Sequence, residues 1–388
     1  MAAPARAPFI ERPALARALV DRAREGPPIV VTGPPGAGKT TLLLQTAKAL
    51  EAEGWAVVFL DLMGAASSPE RFVSAALGAL PARAFGARLP QATAIRRLAD
   101  QGKAGGAAAV EALLALWSSL DEAAGQPVAL LLDEVTEIKS LSYFAGLRDV
   151  DRPFAAALSR RRRGTVLATS YPTAARKLWT SFETLAVAPL SAAELAPLAH
   201  RTAILGGGEA LARGCFGWPR YLHALWVRVE RGEPVASAWA AEMAAGGGLE
   251  QCARHTYETL LLRSRGYGMS KAVLAVVAEE EGSNLTALVA RVGRTPGAVR
   301  DYLGWLVGVD ALRMVRKRYF YVDGMVRWWV RLHGRGIPAS SQDLEKAARQ
   351  IFSEGEGVLE PAAFSTTGSL AVVEPAVAVR SDTLMEID

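Results

Sequence analysis

Residues 33–40 read Gly-Pro-Pro-Gly-Ala-Gly-Lys-Thr, the complete G-x-x-x-x-G-K-[ST] pattern of a phosphate-binding loop. An apolar run, Pro28 to Val31, precedes this loop, and a helical stretch from Thr40 to Ala52 follows it. In this setting the glycines let a triphosphate approach the backbone, and the N–H groups of the loop and helix N-terminus face the anion. The residues predicted to bind a nucleoside triphosphate are Gly33, Pro34, Pro35, Gly36, Ala37, Gly38, Lys39, Thr40 and Thr41.

A second nucleotide-binding signature is an acidic pair, Asp133 and Glu134. The pair directly follows the apolar strand predicted from Val128 to Leu132. Ligands of open α/β sheets bind beyond the carboxyl ends of the strands, so these acids should face the phosphates. We expect Lys39 to reach the β- and γ-phosphates, and Thr40 and Asp133 to hold Mg²⁺. We expect Glu134 to polarise a hydrolytic water. A solvated strand end is the alternative interpretation of the acidic pair.

Two further residues could sense the γ-phosphate. Ser170 ends the fourth predicted strand, which in such sheets lies beside the phosphate strand, so its hydroxyl could contact the phosphate or the water. The alternative is that Ser170 caps the following helix. Arg220 follows Gly217-Trp218-Pro219 at the start of a helix and could move against the phosphate. The alternative is an ordinary surface arginine.

The run Arg160 to Arg163 precedes the fourth predicted strand. It is interpreted as a solvated helix end, with contact to nucleic acid or a neighbouring subunit as the alternative. Cysteine and histidine residues lack paired spacing, so metal binding beyond Mg²⁺ is not expected.

The elements that must position these side chains alternate between strand and helix up to residue 190, which implies a parallel sheet covered on both faces. A helix ending near Gly26 precedes the sheet, and residues 69–125 are predicted to be mainly helical, with breaks at prolines and glycines. The predicted strands are 28–31, 56–61, 128–132, 165–170 and 184–187.

The chain changes character after Leu190, becoming helical without strands to about residue 262. Between 268 and 335 the predicted order is helix, helix, turn, helix, β-hairpin and closing helix, which is typical of a winged helix. The predicted helices are 270–281, 285–291 and 296–307, the hairpin is 312–322, and the last helix begins at Met325. The predicted domains are a phosphate-loop core (1–190), a helical lid (191–265), a winged-helix domain (266–335), and a C-terminal helix with an acidic flexible tail (336–388).

The predicted winged helix is strongly basic, with thirteen basic and six acidic residues from Arg263 to Arg335. Basic residues at the third helix and hairpin would contact DNA phosphates in a salt-dependent manner, with the helix in the major groove. Packing against its own core or another protein is the alternative. The predicted DNA contacts are Arg294, Arg300, Arg313, Arg316, Lys317 and Arg318.

The bulk composition agrees with this organisation. A chain of 388 residues exceeds the usual size of a single core. The net charge is +5, but the segment Ser353 to Asp388 carries −6, which leaves about +11 on the remainder and favours an acidic partner. The two cysteines, Cys215 and Cys252, fit a reducing compartment, and neither a signal peptide nor a membrane span is expected. We therefore expect a cytoplasmic protein.

With these residues in place, the chain resembles archaeal-type P-loop ATPases of the AAA+/STAND group, relatives of origin-recognition ATPases. The resemblance covers residues 9 to about 335. It is carried by Phe9-x-x-Arg12, Gly33 to Thr40, Leu132-Asp133-Glu134, Ser170, Ala188 to Ser191, Gly217-x-Pro219, and Tyr319 to Asp323 with Trp328-Trp329.

The resemblance implies an α/β fold with an AAA+-like core, a helical lid and a winged helix, with ATP as the nucleotide and Phe9 and Ile10 near the adenine. Family members often carry an arginine shortly before the fifth strand, where it reaches a neighbour's nucleotide. This chain has Leu178 to Phe182 there, with Arg176 and Lys177 as the nearest basic residues, so we expect ATP to be hydrolysed slowly or used mainly as a switch. The first functional hypothesis is an ATPase whose nucleotide state controls DNA binding, and the second is a signalling switch whose winged helix and tail bind a protein. A homo-oligomer is a further option.

Overall fold

The structure, a computed structural model, describes residues 10–81, 88–120, 122–123 and 125–353. The predictions for Phe9 and for the acidic tail after residue 353 concern residues outside these ranges.

Six strands of the described ranges form one sheet around the strand that carries the phosphate loop. The strands are β1 (Ile29–Thr32), β2 (Ala56–Asp61), β3 (Glu122–Ala123), β4 (Gln126–Asp133), β5 (Thr165–Thr169) and β6 (Glu183–Ala186). The order is β2-β4-β5-β1-β6 with every pair parallel, and β3 pairs antiparallel with the start of β4. The prediction that the fourth strand lies beside the phosphate strand is confirmed, with Thr32 opposite Thr169.

The strands are apolar along their length because helices cover both faces of the sheet. Successive side chains point to opposite faces, so Val31 packs into one core with α1 and α2, while Val30 packs into the other. The helices of this half are α1 (Pro13–Glu25), α2 (Lys39–Ala52), α3 (Leu62–Ala65), α4 (Pro69–Gly78), α5 (Leu89–Ala99), α6 (Gly106–Ser118), α7 (Asp151–Ser159) and α8 (Pro172–Leu178), with 3₁₀ helices at Gly102–Ala104 and Val135–Tyr143.

The predicted helical region 69–125 is corrected in one place. Helix α5 begins at Leu89, so Pro90 lies in its first turn, where a proline lacks only an N–H that would have no partner. Residues Glu122–Ala123 form β3 because they fold back on the start of β4.

The arginine run before β5 is also corrected, since Arg161 is buried with 2% of its surface exposed. Its guanidinium donates to the carbonyls of Trp117, Leu120 and Val128, and Nε donates to Thr165 Oγ1 at 2.9 Å. Helix ends leave carbonyl groups without partners, and the five donors of one arginine satisfy several of them. Arg161 is therefore a structural residue, whereas Arg160 and Arg162 are exposed.

Between β6 and residue 353, where the described part of the chain ends, the chain is helical except for one hairpin, as predicted. Its helices are α9 (Ala192–Arg201), α10 (Gly207–Cys215), α11 (Pro219–Val229), α12 (Val235–Met243), α13 (Gly248–Arg263), α14 (Tyr267–Glu279), α15 (Leu285–Val292), α16 (Pro296–Gly308), α17 (Gly324–His333) and α18 (Ser341–Ser353). The hairpin strands are β7 (Leu312–Val315) and β8 (Arg318–Tyr321). None of the helices within the described ranges is long and apolar enough to cross a membrane.

Aromatic residues of α17 contact the preceding helices α12 and α13. Trp329 Nε1 donates to Glu250 Oε1 on α13 at 3.1 Å, and Trp328 packs edge-to-face with Trp239 on α12. These contacts fix the middle of α17 against α12 and α13.

Candidate functional site

The loop between β1 and α2 has the geometry of an anion cradle. Gly36 and Gly38 have φ of +77° and +90°, in the left-handed region that favours glycine. The side chain of Arg220 lies directly over Gly36, since a Cβ there would stand 2.1 Å from Arg220 Cδ. The predicted strand–loop–helix setting is therefore present, and it holds an arginine against the loop.

Lys39 is the first residue of α2 and is buried, with 4% of its surface exposed. Its Nζ donates to the carbonyls of Gly33 (3.0 Å) and Pro34 (3.1 Å) and to Ser170 Oγ (2.8 Å). Burial lowers the pKa of Lys39, although the charges of Glu134 and Asp133 offset part of that effect. The ammonium group is thus held at the loop by three oxygens.

Thr40 and Asp133 meet across the same edge of the sheet. The Thr40 hydroxyl donates to Asp133 Oδ2, and Asp133 Oδ1 accepts the backbone N–H of Glu134 at 2.9 Å. A hydroxyl beside a carboxylate supplies the oxygen ligands that Mg²⁺ prefers, with phosphates and waters completing the coordination. The side chains present therefore fit the predicted ion.

Glu134 has a positive φ of +44°, which is uncommon for a non-glycine residue. This conformation turns its carboxylate toward β5, where Ser170 donates to it from both the backbone N–H (3.0 Å) and the hydroxyl. Lys39 Nζ lies 3.9 Å from Glu134 Oε1. Burial raises the pKa of Glu134, against the opposing charge of Lys39 and the hydrogen bonds from Ser170. Strain of this kind clusters at functional sites.

Arg220 makes contacts that the sequence did not indicate. Its Nη2 donates to Asp323 Oδ2 at 2.8 Å and to the hydroxyl of Tyr221, and the guanidinium stacks on the Tyr221 ring. Asp323 precedes α17, 103 residues further along the chain. The prediction of an ordinary surface arginine does not apply, because the side chain is largely buried beside the loop.

A cleft of about 390 Å³ is lined by Lys39, Thr40, Glu134, Ser170 and Arg220, and a second, smaller pocket of about 60 Å³ adjoins it. The cleft also contains residues that sequence reasoning missed: Met63, Tyr171, His223, His255, Thr256, Thr259 and Leu260. The four from α13 share one helix face, a spacing visible in the sequence, but nothing there indicated that the face adjoins the loop. Ile10, Val187, Leu190 and Gln45 line the smaller pocket.

Arg12 fixes the segment that carries Ile10. Its guanidinium donates to Glu194 Oε1 (2.9 Å) and to the carbonyls of Ala188 (2.8 Å) and Pro189 (3.3 Å). Burial acts to raise the pKa of Glu194, but the hydrogen bonds and charge of Arg12 outweigh it and keep the pKa below the usual range. The ion pair between Arg12 and Glu194 therefore fixes the segment that carries Ile10 beside the smaller pocket.

The predicted DNA-binding residues lie apart from this cleft. Arg294 lies two residues before α16 and Arg300 lies in its second turn, whereas Arg313, Arg316, Lys317 and Arg318 are in the β7–β8 hairpin. None of them lines the cleft. Within the described ranges no group of His, Cys, Asp and Glu is arranged to hold a metal ion by itself.

Comparison with known proteins agrees with a nucleotide-binding core. Residues 11–168 match the family model described as AAA ATPase domain. The Walker-type ATPase PABY2304 of Pyrococcus abyssi is similar in structure, with 14% identity, a TM-score of 0.59, and coverage of 83% of this chain and 96% of that one. The ORC2 protein of Aeropyrum pernix, in ADPNP–ADP complexes, has 16% identity, a TM-score of 0.49, and coverage of 87% and 92%. No curated protein matches the sequence.

The first of these two structures exceeds a TM-score of 0.5 and, at this identity, shows a shared fold. The family match covers β1, the phosphate loop, Asp133 and Glu134, and ends within β5. Residues 11–168 therefore match an AAA ATPase domain and include the phosphate loop, and the chain is an ATPase.

Proposed function

We propose that this ATPase couples its nucleotide state to the binding of double-stranded DNA through a winged-helix domain. The proposed domains are the core (1–190), a helical lid (191–265), the winged helix (266–335) and a C-terminal helix with an acidic tail (336–388). The observation that carries the proposal is the pattern of ion pairs in the winged-helix region. This pattern separates one set of basic residues from the rest.

Three acids of this region, Glu279, Glu280 and Glu281, pair with arginines outside the predicted DNA-binding set. Glu279 pairs with Arg331 and Arg335, Glu280 with Arg291, and Glu281 with Arg327. Among the described residues, by contrast, none of the six predicted DNA contacts forms an ion pair with Asp or Glu. Their positive charge is therefore available to an external polyanion such as a DNA backbone.

The tip of the hairpin supports the same interpretation. Arg316 and Lys317 form the two-residue turn between β7 and β8, with φ of +48° and +63°. Such turns usually use Asn or Gly, because positive φ costs other residues about 1–2 kcal/mol each. Two exposed basic side chains at strained positions are a local conflict of the kind found at functional sites.

Helix α16 has a free face suited to a groove. Thr295 caps the helix by accepting the backbone N–H of Ala298 at 3.4 Å. Val299 and Leu303 are buried on the inner face, whereas Gly297, Arg300 and Gly304 are exposed on the other. Small residues around an exposed arginine allow close approach to a DNA duplex.

In the proposed hydrolysis, Lys39 and the loop N–H groups hold the β- and γ-phosphates of ATP. Ile10 lies beside the adenine ring. Thr40 and Asp133 would hold Mg²⁺, which neutralises developing charge on the phosphates when bound. Glu134 orients the attacking water and accepts its proton, while Ser170 fixes the Glu134 carboxylate. Arg220, lying over Gly36, contacts the γ-phosphate.

The pH dependence of kcat/KM should reflect Glu134, because a base must be ionised to accept a proton. Its pKa is raised, so activity is expected to fall, as the pH is lowered, at a higher pH than an ordinary glutamate (about 4.3) would give. Steady-state rates across the acidic range check this. A fall only at the ordinary glutamate pKa would contradict the buried setting of Glu134.

Two contacts connect the γ-phosphate side of the cleft to the C-terminal half, and both lie within three residues of Ser170, which binds Glu134. Tyr171 lies under the Arg263 guanidinium, and Thr173 donates to the carboxylate of Asp310. Arg263 ends the lid helix and Asp310 follows α16. A change at Ser170 can therefore be passed to both units within three residues, which is the coupling that the proposal requires.

Neutralising the hairpin as Arg316→Gln, Lys317→Gln and Arg318→Gln is expected to weaken duplex DNA binding. It should also reduce the slope of log K against log salt by about one for each DNA phosphate that the variant no longer neutralises. Fluorescence anisotropy across a salt series measures both effects. The matched control neutralises three exposed residues elsewhere, Arg96, Arg97 and Lys103, and should leave the slope unchanged. An equal change in both triple variants would show that the hairpin is not a specific contact.

A further inference from the structure

Asp323 is an almost fully buried carboxylate outside the ATPase domain match, with 4% of its surface exposed. Its two oxygens have separate partners. Oδ1 accepts the backbone N–H groups of Met325 (2.9 Å) and Val326 (3.3 Å) and so caps α17. Oδ2 accepts Arg220 Nη2 (2.8 Å) and the Tyr221 hydroxyl (2.7 Å). One carboxylate therefore joins the start of α17 to the arginine over the phosphate loop.

The donors of Arg220 are used unequally. Nη2 is bound by Asp323 and Tyr221, but Nε is buried and has no acceptor among the described residues. A buried donor without a partner costs free energy, so it indicates an acceptor that is supplied from outside the chain. The side chain passes over Gly36 and lines the phosphate cleft, and phosphate oxygens there would supply that acceptor.

We propose that Asp323 is a positioning residue that holds Arg220 through Nη2, so that its other donors remain available to the γ-phosphate of bound nucleotide. The inference rests on the proposed contact between Arg220 and the γ-phosphate. If Asp323 positions Arg220 in this way, the preference of the ATPase for ATP over ADP depends on a residue that lies outside the matched ATPase domain.

The geometry favours anchoring over competition between Asp323 and the phosphate. A guanidinium presents five donors in a planar fork, so Nη2 can bind a carboxylate while other donors of the same group bind a phosphate. Stacking on Tyr221 further restricts the plane of the fork. An arginine held in this way loses little conformational entropy when the phosphate binds.

The test is Asp323→Asn, because asparagine caps helices about as well as aspartate and removes only the charge. Dissociation constants for ATP and ADP are measured by calorimetry on the full chain with Mg²⁺. We expect the ATP constant to rise about tenfold and the ADP constant to change less than about threefold, as for loss of a charged hydrogen bond to one phosphate. Equal changes for both nucleotides, or tighter ATP binding, would overturn the proposal.

Two further variants test the positioning role of Asp323 separately from the proposed contact between Arg220 and the γ-phosphate. Arg220→Ala should also reduce the preference for ATP, and adding Asp323→Asn to it should cause no further reduction. If Arg220→Ala leaves the preference intact, the γ-phosphate role of Arg220 is wrong. If Arg220→Ala reduces the preference and Asp323→Asn does not, only the positioning role is wrong.

Asp343→Asn, which removes an exposed carboxylate near the start of α18, is the matched control and should change neither constant. If Asp323→Asn fails to fold, Tyr221→Phe tests the same anchor. It keeps the ring that stacks on Arg220 and removes the hydroxyl bound to Asp323. It should lower ATP affinity selectively, and an unchanged ATP-to-ADP ratio would contradict the proposal.

Discussion

Glu134→Gln is expected to reduce ATP turnover by about 10²- to 10⁴-fold while ATP still binds, since this is the usual contribution of a general base. The amide is nearly the same size as the carboxylate and can still accept the Ser170 N–H. It cannot take a proton from water at neutral pH. The measurements are single-turnover phosphate release and equilibrium ATP binding on the same preparation.

Glu137→Gln is the matched control for this variant. Glu137 lies in the same 3₁₀ helix as the residues following Glu134, but it pairs with Arg263 and does not line the cleft. Its turnover should stay within a few-fold of the original. Turnover that is unchanged in Glu134→Gln would assign the base to another residue.

Lys39→Ala is expected to weaken ATP binding by at least about 100-fold. A charged hydrogen bond contributes about 1.5–3 kcal/mol, and the ammonium can make more than one to the phosphates. Lys39 is held in the cleft by two loop carbonyls and Ser170, so its position is fixed before nucleotide arrives. Calorimetric titration with ATP measures the loss.

Lys48→Ala provides the control, because Lys48 is an exposed lysine on the same helix, α2. ATP affinity should be unaffected in that variant, and circular dichroism should show that both proteins keep their helical content. Tight ATP binding by a folded Lys39→Ala protein would contradict the assignment of the phosphate loop.

The sheet could be predicted from the sequence because its signals are local. Val128 to Leu132 is a continuous apolar run of the kind found in a strand that is buried on both faces. It leads directly to Asp133 and Glu134. Boundaries moved by a residue or two, as at β6, which spans Glu183–Ala186 where residues 184–187 were predicted. The order of helices and hairpin after Leu190 was predicted for the same reason, from periodicity and turn residues.

The contacts that complete the site could not be predicted, because they join residues far apart in the chain. Asp323 binds Arg220 across 103 positions, and Arg263 binds Glu137 across 126. Neither pair leaves a periodic pattern. Arg161 was misinterpreted for a related reason. Its neighbours are charged and exposed, and only the folded structure shows that carbonyls of other elements surround its guanidinium.

The most direct test of the central claim is DNA binding in the two nucleotide states. Anisotropy of a labelled duplex is titrated with the Glu134→Gln protein, which should retain ATP, at about 50 mM and 200 mM salt, with ATP or with ADP. The proposal predicts binding at the lower salt, with affinities that differ at least about fivefold between ATP and ADP. No DNA binding in either state at the lower salt would contradict it and favour a switch that acts on a protein partner.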